Sequence, residues 1–236
     1  MSYEAEIPVG GRPMALWVLE ALKASPSITS IGLVGPESLR SDQVVMASMV
    51  GDLFGNVLQG LTTAPRDAEA VLFVTSDIPW LTVPVIETFL ENAPRDVDVV
   101  YPIIPKHIAE ARFPGTKRTY VRLKEGVFTG GNLFLARVDA VPRLQERAQV
   151  LLRHRKSPLT LARDVGPGLL LRLLLGQLSV RQAEVRVGRI LNITGRALIF
   201  PYAEAGVDVD KPEDLALAER ELGGNHQAFG QGWDIS

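Results

Sequence analysis

The apolar run VLFV at residues 71–74 ends abruptly in Thr75, Ser76, Asp77, Ile78 and Pro79. Such a run predicts a buried strand, and Pro79 stops it because proline has no N–H to give the ladder. One carboxylate, that of Asp77, is thereby delivered to the rim of a sheet. In an open α/β sheet ligands collect beyond the carboxyl ends of the strands, and a carboxylate there suits a magnesium ion, which takes hard oxygen ligands. Asp is also a favoured helix cap, and residues 81–90 read as the helix that follows, so both roles stand open for Asp77.

The surrounding pattern alternates. Pro13 opens a helix with Met14, Trp17, Val18, Ala21 and Leu22 on one stripe, after a Gly10-Gly11 turn. Residues 28–34 read as a strand closed by Gly35 and Pro36, residues 55–62 as a helix, and residues 97–104 as another strand. This alternation predicts an α/β fold: a doubly wound, mostly parallel sheet flanked by helices. Beyond Pro105 the runs 119–123 and 127–136 meet through Glu125 and Gly126, which signals an antiparallel hairpin. Residues 138–191 carry a helical period broken at Pro158, at 166–168 and at 176–179, and form a helical insertion. A strand at 197–202 and a last helix at 210–222, with Pro212 near its start, complete the expected elements. One domain over residues 1–222 with a flexible tail at 223–236 is the expected organisation.

Composition narrows the chemistry. A chain of 236 residues buries a sizeable core without staples, on the order of 70% of the surface its unfolded form exposes. The absence of cysteine excludes disulfides, thiolate metal sites and a cysteine nucleophile. A formal charge of -2 gives no global field for nucleic acid or membrane, so neither is an expected partner and any anion must be met by local cations. The opening MSYEAEIPVGG lacks the basic and apolar regions of a signal peptide, which makes the cytoplasm the expected compartment. The most apolar window, 169–178, is broken by Arg172 and Gly176 and is far shorter than a membrane span of about 20 residues. It reads as a helix that is buried or faces a partner, a homodimer contact among the options.

A second acidic segment, GVDVDKPEDLALAE, sets Asp208 and Asp210 at alternate positions of an extended stretch, with both carboxylates on one side. Asp208 has no capping duty and is the first choice to share a magnesium ion with Asp77, whereas Asp210 suits the N-cap of the last helix. Lys106, His107, Arg112, Lys117, Arg118, Arg122 and Lys124 make one basic stretch. Lys117 and Arg118, after the Pro114-Gly115 turn, are candidates for an anionic acceptor, the alternative being an ordinary solvated face.

The segments PVGGRPMALWVLEAL, VLFVTSDIPWL, TGGNLFLA and GVDVDKPEDLALAE, in this order, resemble the molybdenum-cofactor guanylyltransferase-like (MobA-like) NTP transferases of GT-A fold. The stretch YPIIPKHIAEARFPGTKRTYVRL is similar to a bacterial branch of that family. The resemblance implies that Mg2+ bridges the α-phosphate of a nucleoside triphosphate while a phosphorylated or hydroxyl acceptor attacks and pyrophosphate leaves. It assigns metal binding and catalysis to Asp77 and Asp208, and the acceptor-side turn to Gly131 and Asn132, residue types that also occur wherever hairpins bend.

One departure from the family is plain. Its members begin with a strand and a glycine-rich loop followed by arginine and lysine; in the register fixed by PVGGRPM, the lysine position holds Glu4. A glutamate there repels phosphates, which keeps two alternatives in view: a non-catalytic binding protein of the same fold, and a glycosyltransferase, for which Asp208-Val209-Asp210 supplies a D-x-D pattern. The first strand of the fold belongs between residues 31–34 and 71–74. Either the natural coding sequence starts further upstream, or residues 2–8 move in as an improvised partner.

Overall fold

Gly10 and Gly11, at φ 60° and 77°, make a turn that only glycine adopts without strain, and they fold β1 (Pro8–Val9) back onto β2 (Arg12–Pro13). The computed structural model describes residues 3–144 and 166–224. A 3₁₀ turn at Glu4–Glu6 precedes the hairpin, and α1 (Met14–Ala24) follows it with Met14, Ala15, Val18, Leu19 and Ala21 buried. Next come the parallel pair β3 (Ile31–Val34) and β4 (Val44–Ala47), then α2 (Leu53–Leu61), capped by Asp52 accepting from Gly55 N–H at 2.9 Å.

The main sheet contains β5 (Ala70–Val74), β6 (Val99–Pro105), β7 (Val121–Leu123), β8 (Gly126–Gly130), β9 (Leu133–Arg137) and β10 (Gly195–Ile199). Its order is β5-β9-β6-β8-β7, with β10 on the other edge of β6. β10 is parallel to β6, whereas β5 and β6 are each antiparallel to β9, and β6 and β7 to β8. Four strands therefore share one direction, and β8 and β9 oppose them as two halves of one run interrupted at Gly131 and Asn132. The interruption lies opposite Pro102, whose ring removes a ladder donor and whose carbonyl accepts from Gly131 N–H at 3.0 Å. Between strands stand α3 (Val83–Asn92), α4 (Lys106–Arg112), α5 (Pro167–Leu174), α6 (Val180–Leu191) and, last, α7 (Pro212–Leu222).

Three features depart from expectation. β4 and α4 form where the sequence pattern assigns no element, α4 inside the basic run. The second strand of the hairpin, expected as one run over 127–136, is two strands broken at Gly131 and Asn132. Residues 3–9 do not pair with β3 or β5; their groups are engaged elsewhere, with Met14 N–H donating to Ile7 O at 2.9 Å, Trp17 Nε1 to Val9 O at 3.0 Å and Gly10 N–H to Glu219 at 3.1 Å. Consequently β3 and β4 form their own sheet, and among the described residues neither β3 nor β5 has a second strand partner. Of the helical stretch 138–191, the breaks at Gly166 and at Gly176 to Ser179 are present, Ser179 capping α6 together with Gln182. Residues 145–165, with Pro158, and the tail from 225 lie outside the described residues. Leu171, Leu174 and Leu175 of the apolar window are exposed.

Two clusters hold the fold. Val18, Ile86, Phe89, Val100, Leu133 and Phe200 pack α1 and α3 on the sheet, Phe89 and Phe200 meeting edge-on at 5.7 Å. Each such buried side chain contributes about 1.5–3 kcal/mol. Val9, Met14, Trp80, Phe113, Val207, Val209 and Ala218 form the second cluster, directly beneath the loops that follow β5 and precede α7. No helix among the described residues is long and apolar enough to cross a membrane.

Candidate functional site

The end of β5 is anchored before it reaches Asp77. Thr75 N–H donates to Asn132 O at 3.0 Å, and the Thr75 hydroxyl donates to the Asp77 carboxylate. Ile78, Trp80 and Leu81 plunge into the core, with Ile78 wholly buried, so Asp77 is left half-buried on the rim. The N-cap position of α3 is held by Thr82, without a side-chain cap, so Asp77 does not cap that helix.

The second acidic segment is laid against this loop. Val207 and Val209 point into the cluster around Trp80 and Phe113, and Val209 N–H donates to Asp77 O at 2.9 Å. Extended backbone alternates its side chains, so Asp208 and Asp210 face outward. Carboxylate oxygens of Asp77, Asp210 and Glu4 all lie within 4.8 Å of one another. Asp210 does not cap α7; Lys211 occupies the N-cap position, without a side-chain cap.

Asp208 takes a different partner. Its carboxylate is gripped by Arg118, whose guanidinium also donates to Asp208 O at 2.6 Å and to Asp214 at 3.2 Å. Arg118 is therefore turned inward, toward two aspartates, rather than outward to an acceptor. The exchange of roles between Asp208 and Asp210 has a simple cause: alternation gives both aspartates the same side, and the choice between them rests on Arg118, 90 residues away in sequence.

Burial and like charge act together here. Glu4 is pushed above the ordinary carboxylate range, first by desolvation and then by Asp77, Asp210 and Asp208. Asp208 is raised by desolvation, with Arg118 opposing and Asp210 and Asp77 adding to the rise. Carboxylates in such company favour a proton or a cation between them. Three hard oxygen donors at this spacing, on an open rim, match what a divalent cation of the magnesium type accepts, and Glu4, Asp77 and Asp210 would hold it.

The turn at Gly131 and Asn132 is stitched to the same rim. Asn132 N–H donates to Ala205 O at 2.7 Å, and the Tyr101 hydroxyl donates to Gly131 O at 2.8 Å. At Gly131 a Cβ would stand 2.6 Å from Pro102 Cγ and 3.2 Å from Ala205 O, so only glycine fits without displacement. The Asn132 side-chain amide has no protein partner among the described residues. Lys117 is exposed, with its own carbonyl accepting from Lys211 Nζ at 3.3 Å. Cavities of about 420, 510 and 570 Å³ lie along α6, the second also bordered by α2 and the sheet; Tyr101 lines the second, and Gly131, Asn132 and Lys117 line none of the three.

Of the site residues, Glu4 was visible in the sequence only as a misfit, and no local signal marks it as a neighbour of Asp77. Asp210 carried the signal but was read as a cap. Asp214 appeared as a helix first-turn acid, and nothing near it indicated burial.

Known proteins share this architecture. A hypothetical transferase from Thermus thermophilus is 45% identical, with TM-score 0.84 and 91% of each chain covered. Two further structures share the fold at low identity. The 4-diphosphocytidyl-2C-methyl-D-erythritol synthase of Anaerococcus prevotii is 12% identical (TM-score 0.59, 92% of each chain). The 2-C-methyl-D-erythritol 4-phosphate cytidylyltransferase of Thermus thermophilus is 17% identical (TM-score 0.54, 94% of this chain and 93% of that one). Comparison with curated proteins finds no significant match. Residues 4–173 match the MobA-like NTP transferase domain, and the chain belongs to that family.

Proposed function

We propose that the protein is a nucleotidyltransferase that moves a nucleoside monophosphate unit from a nucleoside triphosphate to a phosphorylated or hydroxyl acceptor. An acceptor oxygen attacks the α-phosphorus, the bond between α-phosphorus and the bridging oxygen breaks, and pyrophosphate departs with that oxygen. A divalent cation, when bound, acts as a Lewis acid on the phosphoryl oxygens. Asp77 and Asp210 hold its place, with Glu4 beside them and Asp208 in the adjoining position. Asn132 orients the acceptor through its open amide, Gly131 lets backbone come close to it, and exposed Lys117 supplies positive charge to an anionic acceptor. The observation that carries this reading is the convergence of Glu4, Asp77 and Asp210 on one point of the rim. Fold-sharing proteins named for CTP or cytidylyl chemistry support it at the level of reaction class.

Glu4 favours a second reading, a binding protein without catalysis. Its carboxylate adds negative charge where a triphosphate needs cations. Magnesium-dependent pyrophosphate release from ATP, GTP, CTP and UTP, with a panel of sugar phosphates and polyols and Asp77→Ala as control, separates the two. Release that Asp77→Ala abolishes supports the transferase. Absence of release with every acceptor, together with tight binding of a phosphorylated compound, supports the binder.

A further inference from the structure

Arg118 is the most buried cation in the neighbourhood, its side chain 6% exposed, and it lies between Asp208 at 22% and Asp214 at 3%. It leaves the loop between α4 and β7, the same loop that exposes Lys117. Its three hydrogen bonds go to the segment between β10 and α7 and to the first turn of α7. Lys211 Nζ, donating to Lys117 O at 3.3 Å, is a second tie between the same two segments. Below them Phe113 packs tilted on Trp80 at 4.9 Å, in the cluster that also holds Val207 and Val209.

The network is not arranged for stability alone. Arg118 Nε and Asp214 Oδ2 are buried without a hydrogen-bond partner, and such an orphan costs about 1–3 kcal/mol. Buried ion pairs often yield no net stability over apolar packing, but they do impose geometry. Here the geometry imposed is that of the 207–210 backbone: with Asp208 pulled toward Arg118 on both its side chain and its carbonyl, Asp210 is left to turn toward Asp77 and Glu4.

We propose that Arg118 is a positioning residue, a latch that fixes the Asp208 to Asp210 segment against the Lys117 loop and so sets the acidic rim and the acceptor-side cation in one frame. Its link to cation binding rests on the reading of Glu4, Asp77 and Asp210 as a metal site. Its mechanical content does not. Charge and positioning are told apart only by a change that keeps the cation beside Asp208: charge alone then leaves cation binding as it is, whereas loosening the segment weakens it.

Arg118→Lys keeps the charge and loses the fork, and Asp214→Asn loses the anchor while keeping size. Amide hydrogen exchange is measured on both variants, with circular dichroism to confirm folding, and Mn2+ affinity by electron paramagnetic resonance. In both variants the amides of residues 207–210 and 116–120 should exchange about tenfold faster or more, while those of β6 hold. In Arg118→Lys, where the charge is kept, Mn2+ affinity should fall about tenfold, the scale of losing a residue that orients a ligand. Unchanged exchange in either loop overturns the latch. Parental Mn2+ affinity in Arg118→Lys overturns its role at the rim. If the parent protein itself binds no Mn2+, the metal reading falls, and the exchange data alone still decide the latch.

Discussion

Val209 N–H meets the carbonyl of Asp77 at 2.9 Å, and that bond brings two acidic segments from distant parts of the chain onto one rim. It has the form of a strand contact, yet it lies beyond the sheet, where β5 has already ended. Because it is made by backbone, substitution of the Asp77 or Asp210 side chain changes the charge of the site while leaving this bond in place.

The three carboxylates of the rim should therefore be separable by binding measurements. Asp77→Asn and Asp210→Asn each remove a charged oxygen donor from the point where Glu4, Asp77 and Asp210 meet. Mn2+ affinity, read by isothermal titration calorimetry, should drop about tenfold or more in each. Pyrophosphate release should fall with it. A variant at Asp210 that binds Mn2+ as tightly as the parent protein removes this residue from the site.

Glu4 offers a test by pH. Its carboxyl binds a proton more tightly folded than unfolded, because burial and the charges of Asp77, Asp210 and Asp208 disfavour the ionised form. The repulsion is absent below the unfolded pKa, where the group is protonated in both states, and it develops as pH rises through the higher folded value. Glu4→Gln should thus melt above the parent protein at pH 7 without divalent cations, and the gap should close by about pH 4. Scanning calorimetry at the two pH values checks this. Saturating Mg2+ at pH 7 should reduce or reverse the gap, since a cation needs the charge that glutamine lacks. A Glu4→Gln protein that melts lower at pH 7 counts against the cluster.

What could be read in advance divides along physical lines. Asp77 was legible because an apolar run and a proline fix a strand end locally, and α7 because Pro212, Glu213 and Asp214 mark a helix start. β5, β6 and β10 followed from alternation and β7 with its partner from a hairpin signal, whereas the separate sheet of β3 and β4 and the split of residues 127–136 into two strands did not. Not legible was anything that depends on which distant side chain arrives first: Arg118 claims Asp208, and Asp210 is left for the rim. β4 was missed because VVMA is only four residues long, and α4 because its charges masked a helical period. The position of Glu4 depends on how a glycine turn and Glu219 tether the first residues, a contact between the two ends of the described chain.

Gly131→Ala should be felt in both stability and activity. The added methyl meets Pro102 Cγ at 2.6 Å and two carbonyl oxygens just beyond 3 Å, in a turn whose backbone is bonded to Pro102 and whose neighbour Asn132 is bonded to Ala205 and Thr75. Backbone must shift, at a cost of about 1–3 kcal/mol. Urea denaturation should show this, and the melting temperature should fall roughly 2–4 °C for each kcal/mol. Because the shift carries Asn132 with it, KM for the acceptor should rise more than kcat falls. Parental stability in Gly131→Ala shows that the turn yields more readily than its contacts indicate.

The two strands beside the acidic rim should protect their amides unequally. β6 is paired on both edges, to β9 at residues 99–100, to β8 at 103–105 and to β10 along 99–103. β5 is paired only to β9, and β3 only to β4, so each has one edge without a strand partner among the described residues. An amide hydrogen-bonded within a doubly paired strand opens only when much of the sheet opens, whereas an amide on a free edge exchanges through local fluctuation. Exchange followed by NMR or mass spectrometry should therefore rank β6 slowest, β5 intermediate with alternate residues unprotected, and the isolated β3 and β4 pair fastest. The ranking bears on function, since Asp77 follows β5 directly and inherits whatever freedom that strand has. Divalent cation should slow exchange in β5 by tying Asp77 to Asp210, without affecting β3. Equal protection in β5 and β6 before any cation is added reveals a second partner on the edge of β5, and the rigidity of the rim is then owed to that partner rather than to the bond between Val209 and Asp77.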